Sequence, residues 1–304
     1  MSKILNYYEL DPENNHFDDV VIDVTHRCNM KCKNCYIPNR DVPDMNADLM
    51  IDAISRFPKK TTIRIIGAEP TMRKDLPELI TRIKKVPHRM TLLTNGLRLS
   101  RINYVQTLKD AGLRNLYLSM NGVDNDDWYE EIDELRCADK KISAMLNAEK
   151  LNILRDIGCI IVYGVNNDAP SRFIKLFKNN NIENVCLRFK TIGQIGRHMD
   201  TAFQMGMDDL IHLVSKQFKL SVDYIKHWQD KWTFPGGKKE DDTFYFPINE
   251  NNTRVYKGIW VKLTNWNSTG KDTVLSNSKR RGRLTEDFKV APFFEHVTEN
   301  EGGY

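Results

Sequence analysis

The chain has 304 residues, 40% of them hydrophobic, enough for a sizeable core in one large domain or two. A formal net charge of +4 is too mild to argue for nucleic acid on its own, and no run of 18 apolar residues predicts a membrane span. Six cysteines, a mean hydropathy of −0.53 and an N-terminus without an apolar signal core point to a soluble protein of the reducing cytoplasm.

Residues 1–17 are polar and aromatic and read as an N-terminal cap. Val21–Thr25 is a β-branched run and reads as the first strand. It feeds a loop carrying Cys28, Cys32 and Cys35 in the spacing C-x3-C-x2-C. Side chains in one short loop diverge, so three such thiols are poor packing, but they can converge on one metal centre. Iron–sulfur clusters normally take four thiolates; three leave one iron open for chemistry. A zinc site that adds His26 is the alternative, and a disulfide framework does not suit clustered thiols in a chain without secretory features.

Asn46 caps a helix to Phe57, stopped by Pro58. Thr61–Ile66 is a second strand, ending in Gly67-Ala68-Glu69-Pro70. Asp75 begins a helix with Leu79, Ile80, Ile83 and Val86 inward, and Met90–Leu93 is a third strand ending in Thr94-Asn95-Gly96. Ser100 caps a helix to Ala111, closed by Gly112. Leu116–Ser119 is a fourth strand, followed by Met120-Asn121-Gly122 and the acidic stretch DNDDWYEEIDE. A helix is expected from about Ser143 to Ile157, closed by Gly158, then a fifth strand Cys159–Tyr163 ending in Gly164-Val165-Asn166. A short helix, Ser171–Lys178, precedes a sixth strand, Val185–Phe189.

Regular β/α alternation predicts a parallel sheet with helices outside. The fold class expected is α/β: a partial (β/α)6 TIM-like barrel over residues 18–205, two units short of closure. Ligands then sit at the carboxyl ends of the strands, where the turns above cluster. Residues 206–304 read as an α+β extension over the barrel mouth, with a helix at Met207–Phe218 and an alternating strand at Val255–Trp266. The run from Lys279 to Arg283 reads as a solvated face or a phosphate site. Trp228, Trp232, Trp260 and Trp266 read as core or lid packing.

The cysteine loop and Gly67-Ala68-Glu69-Pro70 resemble the cluster loop and the GGEP motif of the radical S-adenosylmethionine (radical SAM) superfamily. The resemblance covers about residues 18–200. It implies one 4Fe–4S cluster on Cys28, Cys32 and Cys35, with SAM chelated to the fourth iron. It also implies reductive cleavage of SAM to a 5′-deoxyadenosyl radical that abstracts a hydrogen atom from a substrate. Gly67 and Ala68 would let the backbone approach SAM, with Pro70 completing the motif and Glu69 offering a carboxylate to the ammonium. Thr94-Asn95-Gly96 resembles the TNG turn that shapes the SAM pocket. Ser119 and Asn121, in LYLSMNG, share strand parity and would reach SAM.

The segment VYGVNND resembles V-x-G-x-N of the branch that holds the molybdenum-cofactor biosynthesis protein A and the SPASM-type enzymes. This implies SAM contacts at Val165 and Asn166. The family commonly places an aromatic just before the third cysteine; here Asn34 holds that position and Tyr36 follows, as the candidate beside the adenine. Arg188 in an apolar strand needs a partner, either a SAM carboxylate or a barrel carboxylate. Cys137, Cys159 and Cys186 read as packing, with Cys186 and Cys137 the candidate hydrogen-atom donors to a substrate radical. The C-terminal extension has no cysteine, so no auxiliary cluster is expected. The implied partners are an electron donor such as flavodoxin or ferredoxin and a small-molecule, nucleotide or peptide substrate. Without a second cluster to take up electrons, a redox-neutral outcome is expected; support for nucleic acid is weak. A non-catalytic iron–sulfur or metal-binding protein, or a SAM-binding subunit without turnover, stays open.

Overall fold

The computed structural model describes residues 7–37, 39–192, 205–231, 243–249, 258–265 and 281–299. Strands β1 (Asp19–Asp23), β2 (Thr62–Ile66), β3 (Arg89–Thr94), β4 (Leu116–Ser119), β5 (Leu154–Ile160) and β6 (Val185–Lys190) lie side by side in chain order, all parallel. Helices α1 (Ala47–Arg56), α2 (Leu76–Ile83), α3 (Ile102–Asp110), α4 (Asp126–Asp133), α5 (Ala138–Lys150) and α6 (Ala169–Asn179) fall between them. They are followed by α7 (Met207–Phe218), α8 (Val222–Lys231), β7 (Thr243–Pro247), β8 (Ile259–Thr264), β9 (Arg281–Leu284), β10 (Val290–Pro292) and α9 (Phe293–Glu299). No described helix is long and apolar enough to cross a membrane.

Strand alternation splits the sheet into two faces. Ile22, Ile63, Leu92, Leu118, Ile157 and Leu187 are at most 1% exposed and join the main core with the apolar stripes of the helices. The alternate positions, among them Arg64, Tyr117, Asp156 and Arg188, face the lumen and line a cavity. α1 starts where sequence chemistry demands: Asn46 accepts from the amides of Asp48 and Leu49 at 3.0 and 3.1 Å, a cap worth about 1 kcal/mol.

The expected α/β partial barrel stands, and its sheet is open. Its width needs correction. The sheet order is β10-β9-β1-β2-β3-β4-β5-β6-β8-β7, with β8 parallel to β6 and β9 parallel to β1. The described part of region 206–304 therefore extends both edges of the barrel sheet, so the boundary at 205/206 divides the chain but not the sheet. β9 had no apolar signal because two of its four residues are arginines. The solvated-face reading of that run does not hold for Arg283. It bonds Asp23 at 2.7 Å with both side chains at 0% exposure, and it also meets His296 Nδ1 at 3.0 Å. Lys279, Arg280, Trp232 and Trp266 lie outside the described residues.

A second correction concerns α5 and β5. The helix ends at Lys150, where Asn152 turns left-handed with φ of 53°, and the strand runs Leu154–Ile160. Ile153, Leu154 and Ile157 continue the helical apolar spacing in sequence, which is why the helix was expected to run on. Gly158 is mid-strand, opposite Ser119 and Arg188.

Candidate active site

The cysteine loop leaves β1 and is laced to the turn after β2. Ala68 N donates to Thr25 O at 2.9 Å, and Glu69 N donates to Arg27 O at 3.0 Å. Gly67 has φ of 139°, and a Cβ there would collide with the Thr25 carbonyl. Its glycine is thus required by the approach of the cysteine loop, whether or not a ligand also comes near. Cys28, Cys32 and Cys35 line one cavity of about 540 Å³. N–H donors point at their sulfurs: Met30 N at 3.4 Å and Asn95 Nδ2 at 3.9 Å from Cys28 Sγ, and Arg40 Nη2 at 3.1 Å from Cys35 Sγ. Burial raises the pKa of the Cys28 thiol, and burial with the Asp133 carboxylate raises that of Cys32. As bare thiols they stay protonated; a bound cation is what would make them thiolates.

Glu69 is fully buried and is the hub of the mouth. One carboxylate oxygen accepts from Thr71 N at 3.0 Å, Thr71 Oγ1 at 2.5 Å and Thr94 Oγ1 at 2.6 Å. The other accepts from Asn95 N at 2.7 Å. Pro70 opens the short 3-10 turn that Glu69 caps. Asn95 also bonds Asn29 Oδ1 at 2.8 Å, tying the turn after β3 to the cysteine loop. Ser119 ends β4 exposed to the cavity.

In the register row of Ser119 and Gly158, the neighbouring strands β6 and β8 carry charge into the cavity. Arg188 pairs with Asp156 at 2.5 Å and lies 5.1 Å from the Tyr117 ring centre. Arg188 and Lys262 are register partners on adjacent strands, and Lys190 and Arg281 line the same cavity. Burial, together with Arg188, Arg281 and Lys262, pushes the Lys190 ammonium down to about 7; Asp156 opposes the shift.

The family model of the Radical SAM superfamily matches residues 22–179. The chain belongs to the radical SAM superfamily. It is 25% identical over 224 residues to a GTP 3′,8-cyclase of Staphylococcus carnosus, covering 69% of this chain and 65% of the cyclase. The chain thus spans just under two thirds of that relative. A 7,8-dihydro-6-hydroxymethylpterin dimethyltransferase of Methanocaldococcus jannaschii is 38% identical over 114 residues, 34% of this chain and 22% of the relative. Streptococcus suis SuiB, solved with the precursor peptide SuiA, shares the fold with a TM-score of 0.64 and 14% identity over 94% of this chain and 61% of its own.

The superfamily's cofactors are a 4Fe–4S cluster and SAM, and the residues present fit them. Three thiols face one cavity, with N–H donors placed to stabilise anionic sulfur. The zinc alternative fits less well. His26 is fully buried with Nδ1 on Asn39 O and does not line the cavity. Among the described residues no three His, Cys, Asp or Glu side chains gather at single-ion spacing. Cys28, Cys32 and Cys35 would instead hold the 4Fe–4S cluster.

Of the other expected site residues in this radical SAM fold, Tyr36, Asn121, Cys186 and Arg188 line the cavity, while Val165, Asn166 and Cys137 do not. Asn121 lines the cavity, but its amide is occupied: Nδ2 donates to Asp133 Oδ1 at 2.8 Å and Oδ1 accepts from Ile160 N at 3.0 Å. Val165 packs beside Val162 and Ile192, away from the cavity. Asn166 is fully buried and clamps its own turn, donating to Asn121 O and Ile160 O at 2.8 Å and accepting from Val162 N at 2.7 Å. The segment was expected to end a strand, but β5 stops at Ile160 and leaves it in the turn beyond. Arg188 takes the barrel-carboxylate reading through Asp156. Tyr36 lines the cavity with its hydroxyl on Asp23 at 3.2 Å and its ring 6.2 Å from Phe293. Cys137 is buried beside Tyr129 and off the cavity, so the hydrogen-donor role does not suit it; Cys186 lines the cavity beside Asp156. Sequence reasoning missed Asp156, Asp133 and Lys141, none of which belongs to a motif.

Proposed function

We propose that this chain reductively cleaves SAM and directs the resulting radical at a substrate seated in the lumen. The observation that carries the reading is that the three cysteines, the Glu69-held turn and Ser119 face the same cavity, continuous with a charged lumen. Cys28, Cys32 and Cys35 would hold the cluster, and Ser119 with the Thr94-Asn95 turn would offer polar groups to SAM. When bound, the pair supplies a 5′-deoxyadenosyl radical for hydrogen abstraction. The chain's own work is placement: Gly67 seats the cysteine loop, Glu69 fixes Thr94 and Asn95, and the surrounding strands exclude water.

For the substrate, a compact anionic molecule such as a nucleotide is favoured by the cations Arg188, Lys190, Lys262 and Arg281 that line the cavity. The GTP-cyclising relatives lean the same way. A peptide is the second reading, favoured by the peptide-bound neighbour of the same fold. A cytoplasmic setting and an electron donor such as flavodoxin or ferredoxin complete the proposal, with a redox-neutral outcome.

The test is 5′-deoxyadenosine formation by anaerobically reconstituted protein given SAM and a strong reductant, with Cys32→Ala alongside. Wild-type product that disappears in the variant is the expected result. Iron binding without product in either protein returns the chain to a structural or electron-transfer role.

A further inference from the structure

Helix α5 turns Ala138, Lys141, Ala144, Met145 and Ala148 to the interior, so a lysine stands in an otherwise small and apolar stripe. Lys141 is 1% exposed. A buried ammonium is costly unless it is hydrogen-bonded, so its partners are informative. Nζ donates to Asn95 O at 2.6 Å and Ser119 O at 2.9 Å, and lies 5.6 Å from the Tyr129 ring centre. One charge therefore joins the turn after β3 to the last residue of β4. The side chains of Asn95 and Ser119 both line the cavity mouth. Asn95 in turn holds Asn29 of the cysteine loop at 2.8 Å and reaches Cys28 Sγ at 3.9 Å.

We propose that Lys141 is a positioning residue for SAM: it sets the separation of the Asn95 and Ser119 turns and so the shape of the mouth. The inference rests on the reading of that mouth as the SAM site. A lysine suits the task because its compact ammonium carries three donors and can grip carbonyls from two strands at once. A methionine fills the same space but grips neither carbonyl, leaving two buried acceptors and two turns free to drift.

The test uses the full chain with its cluster reconstituted. SAM affinity is measured by equilibrium dialysis without reductant, together with the change SAM produces in the electron paramagnetic resonance spectrum of the reduced cluster. Lys141→Met is expected to weaken SAM binding roughly 10- to 100-fold with iron content unchanged, and Lys141→Arg to recover part of the loss. A folded Lys141→Met that binds SAM as wild type overturns the proposal. Should that variant not fold, Lys141→Gln carries the same expectation and the same overturning result. Failure of both to fold makes the position one of fold stability and also overturns it. A wild-type protein that binds no SAM would instead sink the functional reading beneath.

Discussion

At the mouth of the cavity Glu69 and Asn121, with Lys141 behind them, are buried polar side chains tied to backbone groups of neighbouring turns. On the wall made by β6 and β8, Arg188 faces Lys262 across the register, and Lys190 lies beside both. The mouth is set before any ligand arrives, since its donors and acceptors satisfy one another. The wall gathers Arg188, Lys190 and Lys262 around the Asp156 carboxylate, so that cations crowd one another in a buried space. On the proposed reading one region is scaffold and the other is receptor, and substitutions should tell them apart.

The largest effect is expected at Glu69. In Glu69→Gln the new amide must turn its NH2 toward a donor whichever way it flips, leaving buried groups unsatisfied. Urea unfolding should show a loss of about 3 kcal/mol; a loss below ~1 kcal/mol would mean the hub is not rigid. Gly67→Ala comes next. The positive φ and the Thr25 carbonyl leave no room for a Cβ, so about 1–3 kcal/mol should be lost. Iron bound per chain should fall as the cysteine loop shifts, and an unchanged iron content would break the link between the two turns.

At a single pH the wall gives no loss of stability, but a different signature is expected there. Lys190 is held near 7 in the folded chain and titrates close to its ordinary value when unfolded. Between about pH 7 and 10.5 the unfolded chain therefore holds the extra proton, and wild-type stability should rise with pH across that window. Below pH 7 the folded chain must carry the buried charge. Lys190→Met should be no less stable than wild type at pH 6 and should flatten the rise between about pH 7 and 10.5. Equal pH slopes in the two proteins would remove the crowded-charge picture and, with it, the contrast between wall and mouth.

The mouth was legible in the sequence because its parts are local: three cysteines within eight residues and a four-residue turn after a strand. Even there the structure adds partners that the motif does not reveal. Gly67 accommodates the protein's own backbone, and the Glu69 carboxylate is already engaged by Thr71, Thr94 and Asn95. The wall was not legible because its pairings depend on register. A helix expected to run to Ile157 puts Asp156 on a helix, and only the observed strand Leu154–Ile160 brings it to Arg188. Lys141 gave no signal, since one lysine in the first turn of a helix reads as solvated until the burial of its face is known. β9 was hidden for a related reason: its arginines serve the lumen and Asp23.

The pairing of β9 with β1 also sets an order of assembly. Asp23 and Arg283 are 260 positions apart in the chain, and β1 has a neighbour on one side only until residues near 281–284 are available. During synthesis β1 waits as a bare edge until residues near 281–284 emerge. Contacts of such long range slow folding, because the loop must close before they yield any stabilisation. Shortening the chain ahead of residue 281 would therefore strip β1 of its partner and leave the Asp23 carboxylate buried without its guanidinium, the kind of exposed edge on which nascent chains aggregate.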